Sequence, residues 1–374
     1  MDTCDVLVVG GGPAGSSCAW GLRDTGLDVV VLDRSEFPRD KTCAGWVTPQ
    51  VMEALSVDLD DYGAKRVLQP IRGFRTRRIG DRPGTAACDE IVSWGIRRRE
   101  FDDYLLRRTG ARLRLGEPLK SLEPHGEGWV ANGELAARRV VAAGGHFCPI
   151  ARKIGGSRHE SVIAAQEIEW EISPEELGRC PVDPELPEIF FTPDLRGYGW
   201  VFLKGNVLNV GLGRLDKERL SAHLQEFLGF LGREGRLIDP VPDDFRGHAY
   251  LLHDHTTRPL TDDGLMFVGD AAGLSYPRSG EGIRPAIESG LLAARALRAA
   301  TDLAAPAVAA AYAESVEARF GVGGPTPGRG LTGWLPAPWT SWLAGRLFAN
   351  PWLARRVVVD GWFTHRHEPA LAGM

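Results

Sequence analysis

A cluster of glycines near the start of the chain most narrows what this sequence can fold into. Residues 6–22 read VLVVGGGPAGSSCAWGL, and Gly10-x-Gly12-x-x-Gly15 lies between a β-branched apolar run and a helical stretch. In such a strand–turn–helix unit, Gly10 permits the tight turn, Gly12 lets the backbone approach a diphosphate, and Gly15 lets the helix pack on the strand. The diphosphate then meets free N–H groups and the positive end of the helix dipole. The cluster therefore predicts an α/β fold that binds a dinucleotide.

An acidic residue at the end of the next predicted strand supports this interpretation. The strand at residues 29–32 ends in Asp33, roughly 20 residues beyond the glycines, where an acid accepts hydrogen bonds from the ribose hydroxyls of adenosine. NAD and FAD both contain ADP, so this half of the pattern does not distinguish them.

A second glycine turn, far along the chain, does distinguish the two cofactors. Residues 265–273 read LMFVGDAAG, an apolar strand that runs into Gly269 and Asp270. A nicotinamide cofactor needs no such element, whereas the ribityl hydroxyls of a flavin need a fixed carboxylate, which Asp270 would supply. Gly280 and Gly282 form another turn at a helix start, where N–H groups can stabilise the N1–C2=O edge of a reduced flavin. We therefore expect FAD.

Four stretches together resemble the flavoprotein superfamily of para-hydroxybenzoate hydroxylase and, within it, the geranylgeranyl reductase family. They are the fingerprint at 10–15 with Asp33, PRDKTCAG at 38–45, YGWVFLK at 198–204, and GDAAG at 269–273 with SGEGI at 279–283. The second and third are similar to the PRxKxCGG loop and the YxWxFPK motif of the reductases in particular. The resemblance implies an FAD-dependent enzyme that reduces carbon–carbon double bonds of an isoprenoid or other hydrophobic substrate, with hydride from N5 of reduced flavin.

The motifs and the resemblance together imply a set of site residues. The predicted cofactor-binding residues are Gly10, Gly12, Pro13, Ala14, Gly15, Asp33, Arg34, Arg39, Lys41, Cys43, Ala44, Arg98, Gly269, Asp270, Gly280, Gly282 and Ile283. The predicted substrate-binding residues are Tyr198, Trp200 and Phe202, and no metal site is predicted. Cys43 is the candidate catalytic residue, either as an acid or as a group that only shapes the cavity. Arg39 and Lys41 would orient the loop or the phosphates, and Arg98 either reaches the flavin or is a solvated residue at a helix start.

The sequence departs from the family pattern at three positions. Ala44 replaces a glycine of the loop, and Leu203 replaces the proline of the YxWxFPK motif. The largest change is in AGGHFCPIAR at 143–152, where Gly144 stands in place of the aspartate of an ADGxxSxVAR motif. That aspartate helps organise flavin and NADPH binding in the hydroxylases. Its loss argues against direct use of NADPH and leaves the electron donor open between NADPH, ferredoxin and another flavoprotein.

The order of the motifs predicts how the chain is divided into domains. A discontinuous Rossmann-like FAD-binding domain would comprise residues 1–70, 95–157 and 256–325. An inserted antiparallel β-sheet substrate domain would comprise residues 71–94 and 158–255, because the second of these alternates polar and apolar residues. Residues 326–374 would form a short C-terminal helical region.

The C-terminal region is unusually rich in tryptophan. It contains five of the eleven tryptophans of the chain, namely Trp334, Trp339, Trp342, Trp352 and Trp362. Tryptophan is enriched where proteins meet lipid headgroups, so the region predicts either a peripheral membrane contact or a lid on the substrate domain.

Composition excludes several classes of partner. The net charge is −5 without a long run of Lys or Arg, which argues against nucleic acid. The six cysteines are scattered without a CxxC, which argues against zinc, iron–sulfur clusters and disulfides and fits a cytoplasmic location. No stretch approaches the roughly 18 apolar residues of a membrane span, and the first strand begins too early for a signal peptide. We expect a cytoplasmic protein with a hydrophobic small molecule or lipid as substrate, and the tryptophan-rich region leaves peripheral membrane contact open as an alternative.

Two other functions are compatible with the same motifs. A flavin-dependent monooxygenase or halogenase of this fold would act on an aromatic or specialised-metabolite substrate, although the halogenase motif WxWxIP is missing. A flavin-binding or lipid-carrying protein without catalysis is the other, which the cysteine and basic residues of the 38–45 loop disfavour.

Overall fold

The computed structural model describes residues 1–154, 162–215, 219–324 and 350–371. Trp334, Trp339 and Trp342 of the predicted C-terminal region lie outside the described residues. The described strands, β1 to β18 in chain order, are Asp2–Val9, Val29–Asp33, Trp46–Val47, Leu68–Ile71, Gly73–Arg78, Gly84–Ala87, Ser93–Ile96, Arg112–Leu115, Leu122–His125, Gly128–Ala131, Leu135–Ala142, Val162–Glu171, Glu188–Phe191, Gly197–Lys204, Val207–Arg214, Arg246–Leu251, Thr261–Asp262 and Leu265–Phe267. The described α-helices, α1 to α10, are Pro13–Gly21, Pro49–Ala54, Leu59–Gly63, Arg98–Arg107, Pro149–Ile154, Pro174–Gly178, Leu220–Arg233, Ile283–Ala299, Pro306–Phe320 and Pro351–Leu353, and a π-helix, Ala354–Phe363, continues α10.

A mainly parallel sheet of eight strands forms one half of the fold. Its order is β17-β18-β11-β1-β2-β8, and the hairpin β9–β10 extends it at β11. The strands β8, β2, β1, β11 and β18 run parallel. The first four residues of β2 and the second half of β1 are buried runs of Val and Leu, as is usual where helices cover both faces of a sheet. The carboxyl ends of the parallel strands therefore meet at one edge.

Two helices, α1 and α8, pack unusually closely against each other. A Cβ on Gly290 of α8 would lie 2.2 Å from the carbonyl oxygen of Ala14 in α1. Helix α1 is buried along its whole length, and Pro13 occupies its first turn, where the missing N–H is not needed. The first residues of both helices, Pro13 and Ile283, reach the same cavity.

A second sheet has seven strands in the order β16-β12-β15-β14-β13-β5-β6. All its neighbouring strands are antiparallel except β13 and β5. The predicted inserted sheet is therefore present, with one parallel pair that the sequence did not indicate. A separate small sheet, β3-β7-β4, was also not predicted.

Different helices cover the two faces of the seven-stranded sheet. Helix α7 packs on one face, where a Cβ on Gly199 would lie 2.5 Å from the ring of Phe227. The π-helix covers the other face, and its Phe363 packs with Phe74 and Phe202. None of the helices within the four described ranges has the length and apolar character needed to cross a bilayer.

Candidate active site

A cavity of about 460 Å³ lies where the carboxyl edge of the parallel sheet faces the seven-stranded sheet. The predicted site residues that line it are Gly10, Gly12, Pro13, Ala14, Asp33, Arg34, Arg39, Lys41, Cys43, Ala44, Arg98, Tyr198, Trp200, Asp270, Gly280, Gly282 and Ile283. Gly15, Gly269 and Phe202 do not line it. The fold thus gathers residues from distant parts of the chain around one space.

The turn after β1 depends on glycines. Gly10 has a φ of +114°, and a Cβ there would lie 2.4 Å from the carbonyl oxygen of Ala143, the residue that follows the neighbouring strand β11. A Cβ on Gly15 would lie 1.9 Å from the carbonyl oxygen of Gly10, so α1 can pack on β1 only without a side chain there. Gly12 caps α1 and lines the cavity, and the first N–H groups of a helix have no partner within it. The turn is therefore suited to an anion such as a diphosphate.

Asp33 presents a fixed carboxylate at the end of β2. Its two oxygens accept hydrogen bonds from the backbone N–H groups of Gly11, at 2.7 Å, and Ser35, at 2.8 Å. The residue is 9% exposed and lines the cavity. An acceptor held in this way is suited to ribose hydroxyls.

Asp270 is a second fixed carboxylate, in the turn after β18. Ser275 Oγ donates to Asp270 Oδ1 at 3.2 Å, and His248 Nε2 lies 3.8 Å from Oδ2. Burial raises the pKa of Asp270, but His248 and Lys41 outweigh burial and lower the pKa to about 2. The Lys41 ammonium lies 2.8 Å from the His248 ring, and burial together with the charge of Arg98 lowers the pKa of Lys41 to about 8. Asp270 is therefore ionised at neutral pH and available as an acceptor.

Gly269, which precedes Asp270, acts through packing. It has a φ of +60°, and a Cβ there would lie 3.1 Å from Ala286 and 3.2 Å from Ala14. The glycine lets the turn approach α1 and α8 closely, which brings Asp270 to the cavity.

The loop that contains Cys43 enters the cavity beside two arginines. Cys43 is half-buried, and it lines the cavity together with Arg98. Asp102 holds Arg98 in a bidentate ion pair at 2.8 and 2.9 Å and contacts Arg39 at 3.2 Å. Arg39 Nη1 is buried without a hydrogen-bond partner in the described part of the chain. A buried guanidinium N–H in this position is suited to an oxygen-rich ligand such as a phosphate.

Aromatic side chains close the cavity on the side of the seven-stranded sheet. Trp46, Tyr198 and Trp200 line it, and the Tyr198 hydroxyl donates to the carbonyl oxygen of Ser279. Phe202 is fully buried behind Trp46, with ring centroids 5.2 Å apart. Phe202 therefore supports the wall from behind.

The residues present fit FAD. Two fixed carboxylates, Asp33 and Asp270, line one cavity, with the glycine turn and the unpaired Arg39 N–H beside it. The first carboxylate suits an adenosine ribose, and the second suits a polyhydroxylated chain such as the ribityl group.

Comparison with known proteins supports the same assignment. Residues 5–82 match the profile of the FAD dependent oxidoreductase family, DAO. A digeranylgeranylglycerophospholipid reductase of Methanocaldococcus jannaschii is 29% identical over 311 residues, covering 78% of this chain and 76% of that protein. A menaquinone reductase of Mycobacterium tuberculosis is 31% identical over 341 residues, covering 79% of this chain and 77% of that protein. The chain belongs to the geranylgeranyl reductase family of FAD-dependent oxidoreductases.

Solved structures share the fold. A geranylgeranyl bacteriochlorophyll reductase-like protein of Thermoplasma acidophilum has a TM-score of 0.73 at 24% identity, covering 93% of this chain and 88% of that chain. A flavin-dependent halogenase has a TM-score of 0.67 at 21% identity, covering 86% of this chain and 63% of that chain. The predicted flavoprotein fold and the expectation of an FAD-dependent enzyme are confirmed.

Several cavity residues of this family member were not predicted from the sequence, among them His248, Tyr250 and Glu281. His248 and Tyr250 come from β16, where residues two apart face the same side of the sheet. Glu281 lies in the SGEGI stretch and accepts a hydrogen bond from the backbone N–H of Arg284, at 2.8 Å, at the start of α8. An alternating polar pair on a strand is a weak signal, because such residues usually face solvent.

Arg258, a further residue without a sequence signal, ties two of the cavity turns together. Its Nη1 donates to the carbonyl oxygens of His146 and Asp270, both at 3.1 Å, and the residue is 8% exposed. Gly144 lies in the first of these turns, where a Cβ would lie within 3.2 Å of Cys148. The two turns are therefore joined although the family aspartate is missing at position 144.

Glu281 predicts a pH dependence of stability. Burial raises the pKa of Glu281 to about 7 against the opposing effect of Arg284. The unfolded chain loses this proton at a lower pH than the folded protein does, so this group makes stability fall as pH rises from about 5 to 7. Between pH 5 and pH 8, the free energy of unfolding should fall less in the Glu281→Gln variant than in wild type, by at least about 1 kcal/mol. Urea denaturation at the two pH values with saturating FAD measures this difference.

The exposed Glu175 provides the matched control for this prediction. The Glu175→Gln variant should keep the pH dependence of the wild-type protein. If the free energy of unfolding of Glu281→Gln changed between pH 5 and pH 8 by as much as that of wild type, Glu281 would not titrate in this range.

Proposed function

We propose that this protein uses reduced FAD to reduce carbon–carbon double bonds of an isoprenoid or other hydrophobic substrate. The observation that carries the proposal is one cavity in which two fixed carboxylates and two glycine turns meet a cysteine-containing loop and an aromatic wall. The relatives named for menaquinone and for a digeranylgeranyl phospholipid support a hydrophobic substrate.

The chain's own residues would hold FAD along the cavity. The N–H groups of the 10–15 turn would bind the diphosphate, Asp33 the adenosine ribose, and Asp270 the ribityl chain. The turn at 279–283 would face the flavin ring. When bound and reduced, FAD supplies a hydride from N5.

At the reacting end, the chain contributes a dry pocket and a proton. Trp46, Tyr198 and Trp200 exclude water, which matters because an isolated alkene is a poor hydride acceptor. Cys43 Sγ donates its proton to the carbon that does not receive the hydride. Solvent then returns a proton to the sulfur. The substrate gains two hydrogen atoms in total.

An anaerobic product assay tests this function. Dithionite-reduced enzyme is mixed without air with menaquinone or a geranylgeranyl lipid, and the products are weighed by mass spectrometry. We expect a gain of two hydrogen atoms for each double bond reduced, together with the return of the oxidised flavin spectrum. Oxidised enzyme without dithionite is the control and should give no product.

The same assay distinguishes the alternatives. If turnover required oxygen and the product gained oxygen or halogen, a monooxygenase or halogenase would be favoured. A halogenase with the same fold is known. Flavin that stays reduced with every substrate would favour a binding protein.

The electron donor is NADPH or ferredoxin in this proposal. The oxidised enzyme is titrated with each donor without air, and the loss of flavin absorbance is recorded. The donor that reduces the flavin is the one that the enzyme uses. The absence of the family aspartate at Gly144 favours ferredoxin.

A peripheral membrane contact of a cytoplasmic protein accompanies the proposal. Trp352 is 63% exposed, and the Arg356 guanidinium lies 5.6 Å from its ring centroid. An aromatic ring beside a cation suits the headgroup layer of a membrane.

A further inference from the structure

The backbone of the Cys43 loop is bonded to three side chains of the seven-stranded sheet. Glu167 Oε1 accepts a hydrogen bond from the Cys43 N–H at 2.5 Å, and Asn209 Nδ2 donates to the Cys43 carbonyl at 3.2 Å. Lys204 Nζ donates to the Ala44 carbonyl at 3.0 Å. The N–H and the carbonyl of Cys43 and the carbonyl of Ala44 are therefore all hydrogen-bonded to side chains of the seven-stranded sheet.

A fourth residue, Glu169, links these three side chains into one network, because Asn209 Nδ2 also donates to Glu169 Oε2 at 3.2 Å. Asn209 Nδ2 donates to Glu167 at 3.2 Å, while Lys204 pairs with Glu169 at 2.6 Å. Trp200, whose ring lines the cavity, donates from Nε1 to Asn209 Oδ1 at 2.7 Å. Glu167 is 5%, Asn209 0% and Lys204 1% exposed, so these three side chains are shielded from water.

Two glycines make room for Lys204. Gly45 has a φ of +73°, and a Cβ there would lie 2.6 Å from Lys204 Nζ and 2.4 Å from the carbonyl oxygen of Ile96. A Cβ on Gly95 would lie 3.0 Å from Lys204 Cγ. The loop and the small sheet are thus shaped around this ammonium group.

Such a network is a costly way to hold a protein core together. A buried ion pair stabilises a fold no better than well-packed apolar side chains do, because both charges lose their hydration. A buried polar network instead fixes the groups that it hydrogen-bonds in one defined conformation. Here the bonded groups are the backbone of the residue proposed to donate a proton.

We propose that Glu167, Asn209 and Lys204 are positioning residues that fix the Cys43 loop, and with it the Cys43 thiol beside Arg98. This inference rests on the proposed function for its catalytic consequence, but the position of the loop is measurable without substrate. Trp200 acts on the loop through Asn209, in addition to forming the cavity wall.

Alkylation of Cys43 in the FAD-loaded enzyme tests the proposal. The rate of iodoacetamide labelling at Cys43 is followed by peptide mass spectrometry in wild type, Lys204→Met and Asn209→Ala. We expect at least a fivefold change in rate at Cys43 in both variants, with labelling at the half-buried Cys180 within twofold of wild type. Glu175→Gln is the control, because Glu175 is exposed on α6 and takes no part in this network.

A Cys43 rate within twofold of wild type in either folded variant with full FAD content would overturn the proposal. If both variants fail to fold, hydrogen exchange of the wild-type enzyme decides. The Cys43 amide should exchange as slowly as the amides of β12, and exchange as fast as that of the exposed turn at Gly126 would overturn it. If product formed slowly while the Cys43 amide still exchanged slowly, the proposed reaction would be wrong and the positioning role would stand.

Discussion

Replacing Gly15 with alanine is expected to give a protein that no longer retains FAD and is less stable by about 3 kcal/mol or more. The added methyl group would lie 1.9 Å from the carbonyl oxygen of Gly10 and 2.9 Å from Val8 Cγ1. Neither neighbour can move easily, because one is backbone and the other belongs to a strand buried in the parallel sheet. Helix α1 would have to shift away from β1, which displaces the turn proposed to bind the diphosphate. The ratio of FAD absorbance to protein after gel filtration, together with urea denaturation, measures both effects.

Gly232 provides the control for this prediction. It also lies in a helix, α7, but a Cβ there would meet no atom within 4 Å. We expect Gly232→Ala to keep FAD and to be unchanged or more stable by up to about 1 kcal/mol, because alanine favours the helix. Full FAD content and an unaltered unfolding midpoint in Gly15→Ala would contradict the proposed diphosphate turn.

Replacing Cys43 with alanine is expected to lower the rate of double-bond reduction by about 100- to 10,000-fold, the range typical of a lost general acid. FAD content should stay at the wild-type level, because the carboxylates and glycine turns proposed to hold the cofactor are unaltered. The backbone bonds of the loop to Glu167 and Asn209 do not involve the thiol and should persist. Single-turnover reoxidation of the reduced enzyme by substrate, without air, measures the chemical step directly.

Cys180→Ala is the matched control, since Cys180 is also half-buried but does not line the cavity. It should turn over at the wild-type rate. Wild-type turnover by Cys43→Ala would remove Cys43 from the catalytic residues and leave it only a role in shaping the cavity.

Much of the site was predictable because short motifs impose their own local geometry. Gly10, Gly12 and Gly15 are required wherever a strand, a tight turn and a helix meet at a diphosphate, and Asp33 follows at the end of the next strand. These requirements hold within some thirty residues, so they can be recognised without knowing the rest of the fold. The second turn, with Asp270, was predictable for the same reason.

The aromatic wall shows where motif reasoning reached its limit. Tyr198, Trp200 and Phe202 alternate along β14 and were expected to face substrate together. A strand advances about 3.3 Å per residue, so Phe202 lies well beyond Tyr198 along it. There it meets Trp46 and Phe363, which come from other parts of the chain, and it becomes part of the core.

The sequence by itself determined that the chain would build a flavin-binding α/β fold, because Gly10 and Gly15 belong to a strand–turn–helix unit and Asp33 and Asp270 each stand where a strand ends. Only the tertiary structure decided what surrounds Cys43. Glu167, Lys204 and Asn209 come from three strands, and nothing in their spacing brings them to one loop. Their contacts with the Cys43 loop arise because segments far apart in the sequence pack against each other. The energy of such long-range packing depends on several segments at once and cannot be inferred from any one of them.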